Sequence, residues 1–378
     1  MFAPIFVSYS PTIFVADFTG QTVGVATIPS GLSFSRASSG YTVQSSATTL
    51  ISGGFAVDVA RIGSDGTHKG LVLEEARTNN AQYAVLVGNP VSATGTPTVS
   101  DITGPDGATT GRQIQDTNAS GFQFQFFNPN NFSNGTAVIA SCWGKLVAGT
   151  QGTAQVNGDS ADLVFTSASW AKVANPGTSN AVSPFSINFV PTNLVASSLG
   201  TCAFYGMQYE AGKFASELIL TTGAAATRAG ERLWFTTAPV SGGKVSLELQ
   251  LQPRGASNAY GSAMRILTID ANNYVEISQS TLQVTCVVGG ASQTLSTAMS
   301  WAAGDTIDVF AEIGNGAPKV QYRKNAGSTI VLGTGTTQAA IAAGGTCDVA
   351  CNGTSNQWSA WIRKVAAYQT GAKPTWAS

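Results

Sequence analysis

The chain has 378 residues, 43% of them hydrophobic and only 10% charged, against roughly 25% charged in an ordinary soluble domain. Its 19 basic and 20 acidic residues nearly cancel, so no field exists to draw in nucleic acid or an anionic membrane, and disorder driven by charge repulsion is excluded as well. No stretch approaches the roughly 20 apolar residues of a membrane helix, and the length suggests two or three domains.

The opening, MFAPIFVSYSPTIFVADF (Met1 to Phe18), is apolar but has no positive n-region and is interrupted by two prolines, which argues against a secretory leader. Only Asp17, Arg36 and Asp58 carry charge in the first sixty residues, after which Arg61, Asp65, Lys69, Glu74, Glu75 and Arg77 crowd into the segment from Arg61 to Asn79. Beyond it, apolar and polar residues alternate in short runs such as Gly121 to Phe127, Lys244 to Gln252 and Tyr274 to Ser278. That period is the mark of half-buried antiparallel strands. Turn sequences such as GPDG (Gly104 to Gly107), NPNN (Asn128 to Asn131) and GNGAP (Gly314 to Pro318) punctuate them, as an all-β chain requires. Charge returns in a second cluster, with Glu210, Lys213, Glu217, Arg228, Glu231 and Arg232. The two clusters mark the joints. They divide the chain into an N-terminal segment, residues 1–80, and two antiparallel β-sandwich domains, 81–230 and 231–378, each of sandwich length.

The inventory for catalysis is thin. The one histidine, His68, lies in the polar turn SDGTHKG and reads as an exposed loop residue, and no G-x-S-x-G elbow accompanies it. Glu74 and Glu75 are adjacent, so on a strand they point to opposite faces and cannot flank one glycosidic bond. They read instead as part of a structural link with Arg61 and Arg77, in which one glutamate pairs with either arginine and fixes the segment against the next domain. Asp270 and Glu276 flank the hairpin-like DANN, and Asp305 with Asp308 lacks a calcium loop. Five scattered cysteines, Cys142, Cys202, Cys286, Cys347 and Cys351, have no C-x-x-C pair and read as buried thiols. The expectation is therefore no enzyme, no metal and no cofactor.

Sugar binding asks for less, namely an aromatic platform beside amides. In NQWSAWIRK, Trp358 and Trp361 stand three apart, so on a strand only one can face the core; the other, with Asn356 and Gln357, is the candidate platform. Trp143, Trp170 and Trp301 read as core, and Trp376 as a docking residue or a frayed end.

Two segments carry a resemblance. LSFSRASSGYTV (Leu32 to Val43) followed by FAVDVARIGSDGTHKGLVLEEARTN (Phe55 to Asn79) resembles a segment of tailed-bacteriophage structural proteins. YGMQYEAGKFASELILTTGAAATRAGER (Tyr205 to Arg232) resembles the element that closes the carbohydrate-binding-like jelly roll of the same proteins, and the C-terminal part, ending in SAWIRKVAAYQTGAKP (Ser359 to Pro374), is similar to a concanavalin A-like, laminin G-type sandwich. The chain departs from the pattern at Val59 and Ile62, where the family has Pro and an aromatic, and at Glu217. The resemblance implies a virion structural protein, assembled in the bacterial host cytoplasm: a tail fibre or spike component that contacts host-surface glycan. The alternatives are a head fibre or capsid decoration protein, or a polysaccharide depolymerase. It also implies a homotrimer whose residues 1–80 serve as attachment and linker to other virion proteins. A low-charge surface with many strand edges agrees with life in an assembly. On this reading, removing Met1 to Thr19 leaves a folded protein that no longer joins the particle.

Overall fold

A computed structural model describes residues 12–377, apart from 39–42, 52–55, 90, 130, 158, 160–161, 181–184, 196–197 and 354. The apolar sequence before Thr12 lies outside the described residues. Among these residues the chain is all-β, in antiparallel sheets consistent with a β-sandwich, and its one helical turn is the 3-10 turn Ser257–Ala259.

Two sheets enclose the larger core. One runs in the order Gly24–Val25, Arg61–Ser64, Lys69–Leu73, Ala360–Tyr368, Lys244–Pro253, Ile307–Ile313, Lys319–Lys324, Ile330–Val331, with Thr12–Asp17 lying along the second half of Ala360–Tyr368. The other runs Ala291–Ala298, Gln283–Val288, Asn273–Ile277, Met264–Asp270, Cys347–Val349, Glu231–Phe235, Leu32–Arg36. Phe18, Leu32, Phe34, Ile62, Leu71 and Leu73 share this core with Leu249, Ile266, Val309 and Trp358. A second pair of five-stranded sheets, built on Gly200–Ala211 and Ala137–Ala148 in one and Gly152–Asn157 and Ser186–Val190 in the other, closes over Phe127, Phe165, Phe189, Phe204 and Tyr209. The chain leaves the larger pair along Arg77–Asn79 and comes back along Ala226–Arg228, and these two strands pair with each other.

The division expected near residue 80 does not describe how the strands are shared. Leu32–Arg36 pairs with Glu231–Phe235, and Lys69–Leu73 with Ala360–Tyr368. The first described strands are thus parts of the same sheets as the last ones. The physical reason is edge closure: an alternating five-residue strand such as LSFSR has no partner of its own and buries Leu32 and Phe34 only by joining a sheet. The half-buried reading of Lys244 to Gln252 also changes, because Glu248 on the polar side is covered by Lys364, Tyr368 and Trp376, all from the end of the chain.

Candidate functional site

The two charge clusters of the sequence meet where the chain passes between the two pairs of sheets. Register starts the contact: Arg36 lies directly opposite Glu231 in the Leu32–Arg36 and Glu231–Phe235 pair, with 3.3 Å between their charged groups. Glu231 also takes Arg61 at 2.5 Å, and its second oxygen accepts the backbone N–H of Glu74 at 2.9 Å. Glu74 in turn reaches Arg228 at 2.8 Å, Arg61 at 3.6 Å and Arg254 at 3.7 Å, and accepts the N–H of Glu217 at 2.9 Å. Glu217 binds Arg254 and accepts the N–H of Gln44 at 3.1 Å. All seven side chains are buried. Burial pushes the Glu74 carboxyl up, but the guanidinium groups of Arg228, Arg254 and Arg61 outweigh it and hold the group at about 2. The neighbouring Glu210, which meets Ser216 at 2.6 Å, goes the other way, raised by burial.

The adjacent Glu75 turns outward. Ribbon register sets Arg77 opposite Arg228, a like-charged pair that costs energy unless each cation has its own anion. Glu74 serves Arg228 and Glu75 serves Arg77, the latter at 2.5 Å. Arg77 also donates to the Ala211 carbonyl and lies 4.6 Å above the Phe214 ring. That seat exists because residue 212 is glycine: a Cβ there would stand 1.9 Å from the Arg77 guanidinium. Glu75 and Arg77 form part of the wall of a cleft of about 560 Å³, to which Phe132 and Lys213 contribute from one pair of sheets and Tyr260, Ser262 and Gln279 from the other.

The structure brings Arg61, Glu74, Glu75 and Arg77 together in this seam, with Glu74 inside and Glu75 on the cleft. It does not assemble the tryptophan platform. Trp358 is fully buried in the larger core, its ring 5.0 Å from that of Trp301. Trp361 does face the opposite side of the sheet, but that side is covered too: Arg254 lies 3.7 Å over the ring, His68 stacks at 5.7 Å, and Val23, Ile51 and Val59 pack around it. Gln357 is buried and donates to the Glu231 carbonyl. Asn356 lies at a bend in the left-handed region at φ 49°, its backbone carbonyl accepting the Arg265 N–H at 3.0 Å.

The other named groups have structural partners. His68, partly buried rather than exposed, sits between Asp65 at 2.8 Å and the Gly304 carbonyl at 3.1 Å. Asp270 accepts from Asn272 and Asn273 in its own hairpin, Glu276 pairs with Arg265, and Asp308 pairs with Arg323 at 2.7 Å. Trp376 docks, donating to Glu248 at 2.9 Å. Among the described residues no three His, Cys, Asp or Glu side chains gather as a metal site. Arg254 is the cluster member that sequence reasoning missed. Its only local signal is a lone charge after Pro253 in an otherwise uncharged stretch.

No protein-family model and no curated protein matches the chain. Among solved structures, a mutant of the GH43 protein BlXynB from Bacillus licheniformis aligns over 84% of this chain and 75% of its own, at 14% identity and a TM-score of 0.23. The expectation of no enzyme is corrected, a GH43 protein standing among the solved structures that match, and it is not carried further. A TM-score of 0.23 equally gives the match no weight for assigning a fold or an activity to this chain.

Proposed function

We propose that this chain is a structural protein of a tailed-bacteriophage virion, a tail fibre or spike component that meets host-surface glycan. In this reading residues 81–230 form the jelly roll, and the sheets completed by residues 231–378 form the concanavalin A-like, laminin G-type sandwich. The chain assembles as a homotrimer, and its N-terminal segment, residues 1–80, attaches it to other virion proteins. One observation carries the reading. The two segments that resemble the phage proteins, Leu32 to Asn79 and Tyr205 to Arg232, supply six of the seven residues of the buried ion cluster: Arg36, Arg61 and Glu74 from the first, Glu217, Arg228 and Glu231 from the second. Apart from Glu217, where the chain departs from the family pattern, the resemblance therefore falls on residues that act as one physical unit.

Antibody labelling of intact particles tests it. Label on the tail tip or fibres is the expected result, label on the head favours the head-fibre alternative, and absence of the chain from purified particles refutes both.

A further inference from the structure

The cleft beside the ion cluster has the size of a ligand site and lies between two packed units, where such sites concentrate. Its charged groups are not all spent. Glu75 takes both Arg77 contacts on a single oxygen, Oε1, so that its Oε2 accepts no hydrogen bond among the described residues. With Arg77 neutralised by Glu75, the remaining charge is the exposed ammonium of Lys213, which makes one long contact of 3.4 Å to the Asn258 carbonyl and keeps donors to spare. The exposed Ser262 hydroxyl and Gln279 amide stand on the opposite wall, and the half-buried Phe132 ring gives an apolar face. A set with one unpaired cation, several neutral hydrogen-bonding groups and one ring suits a ligand with many hydroxyls, an apolar ring face and an acidic group.

We propose that this cleft binds an acidic saccharide, with its hydroxyls on Glu75 and Gln279 and its carboxylate on Lys213. The proposal rests on the reading of the chain as a glycan-contacting protein and names the place and the ligand class. It is tested by calorimetric titration of the purified full chain with oligogalacturonate, oligomannuronate and hyaluronan oligosaccharides, using maltooligosaccharides as uncharged controls. At least one acidic series binds, the uncharged series binds about tenfold or more weakly, and Lys213→Ala lowers the acidic affinity about tenfold, the loss of one charge-assisted hydrogen bond. Gln279→Ala lowers it by less. Both side chains are exposed, so neither substitution endangers the fold. No binding by any of the three acidic series, or unchanged affinity in Lys213→Ala, overturns the proposal. Particle labelling involves no ligand, so it reads the virion assignment separately.

Discussion

Two adjacent glutamates in LVLEEARTN have opposite environments, and the energetics of the seam follow from that. Glu74 is buried among three arginines while Glu75 stays about a quarter exposed on the cleft. Removing one member of a buried ion group strands its partners, at a cost of about 3–5 kcal/mol. Glu74→Gln is therefore expected to lower stability by that order in urea unfolding at neutral pH. The pH dependence follows from the direction of the shift: a carboxyl held at about 2, below its ordinary 4.5, contributes stability that is complete above 4.5 and is lost as pH falls toward 2. The wild-type chain should lose stability through that window and Glu74→Gln should lose less of it; equal slopes would refute the assignment. Gly70 offers a second check. A Cβ there would stand 2.6 Å from the Ile362 backbone carbonyl, so Gly70→Ala has to push apart two paired strands and should destabilise by about 1–3 kcal/mol. The thiols are a third. All five cysteines are buried, and burial pushes Cys142, Cys286 and Cys351 up to about 12. Iodoacetamide at pH 8 should label none of the five until denaturant is added. Burial of the thiols was legible from their scatter and lack of pairing. Burial of Glu74 was not, because its partners Arg61, Arg228 and Arg254 lie far apart along the chain.

At the scale of elements, the expectation that Trp358 and Trp361 part company holds, although Trp358 lies two residues before the Ala360–Tyr368 strand: it joins the larger core while Trp361 lies outside it. Alternation could not show that the Trp361 side is covered, since Arg254, His68 and Val23 come from three distant segments. The N-terminal strand teaches the same lesson. Thr12–Asp17 pairs with Ala360–Tyr368, and Ala16 and Phe18 are buried in the larger core. Removal of Met1 to Thr19 was expected to leave the fold intact, but it takes this strand and Phe18 with it. Cutting after Thr19 should cost about 3 kcal/mol or more relative to cutting after Pro11, the scale of one lost buried aromatic. Equal melting curves for the two truncations would show that the strand contributes nothing.

Over the whole molecule, the low charge content has a further meaning. Several of the few charges are used inside, with Arg36, Arg61, Arg228, Glu74, Glu210, Glu217 and Glu231 all buried, so the outer surface is poorer in charge than composition alone suggests. The sharing of strands between the first and last parts of the chain also sets what can fold alone. Residues 231–378 without the rest lose Leu32–Arg36 from one sheet, and lose Thr12–Asp17 and Lys69–Leu73 from beside the central strand of the other. That fragment should show no cooperative unfolding transition by circular dichroism, while the full chain does; a cooperative transition in the fragment would refute this account.

The sequence by itself determined the strand content, the turns between strands, the opposite orientations of neighbouring side chains and the two places where charge concentrates, because each of these depends on residues a few positions apart. Only the tertiary structure decided which strands share a sheet, that the two charge clusters are one cluster, and that both sides of Trp361 are closed. Antiparallel pairing joins residues hundreds of positions apart, and the local period tells which way a side chain points without telling what comes to lie against it.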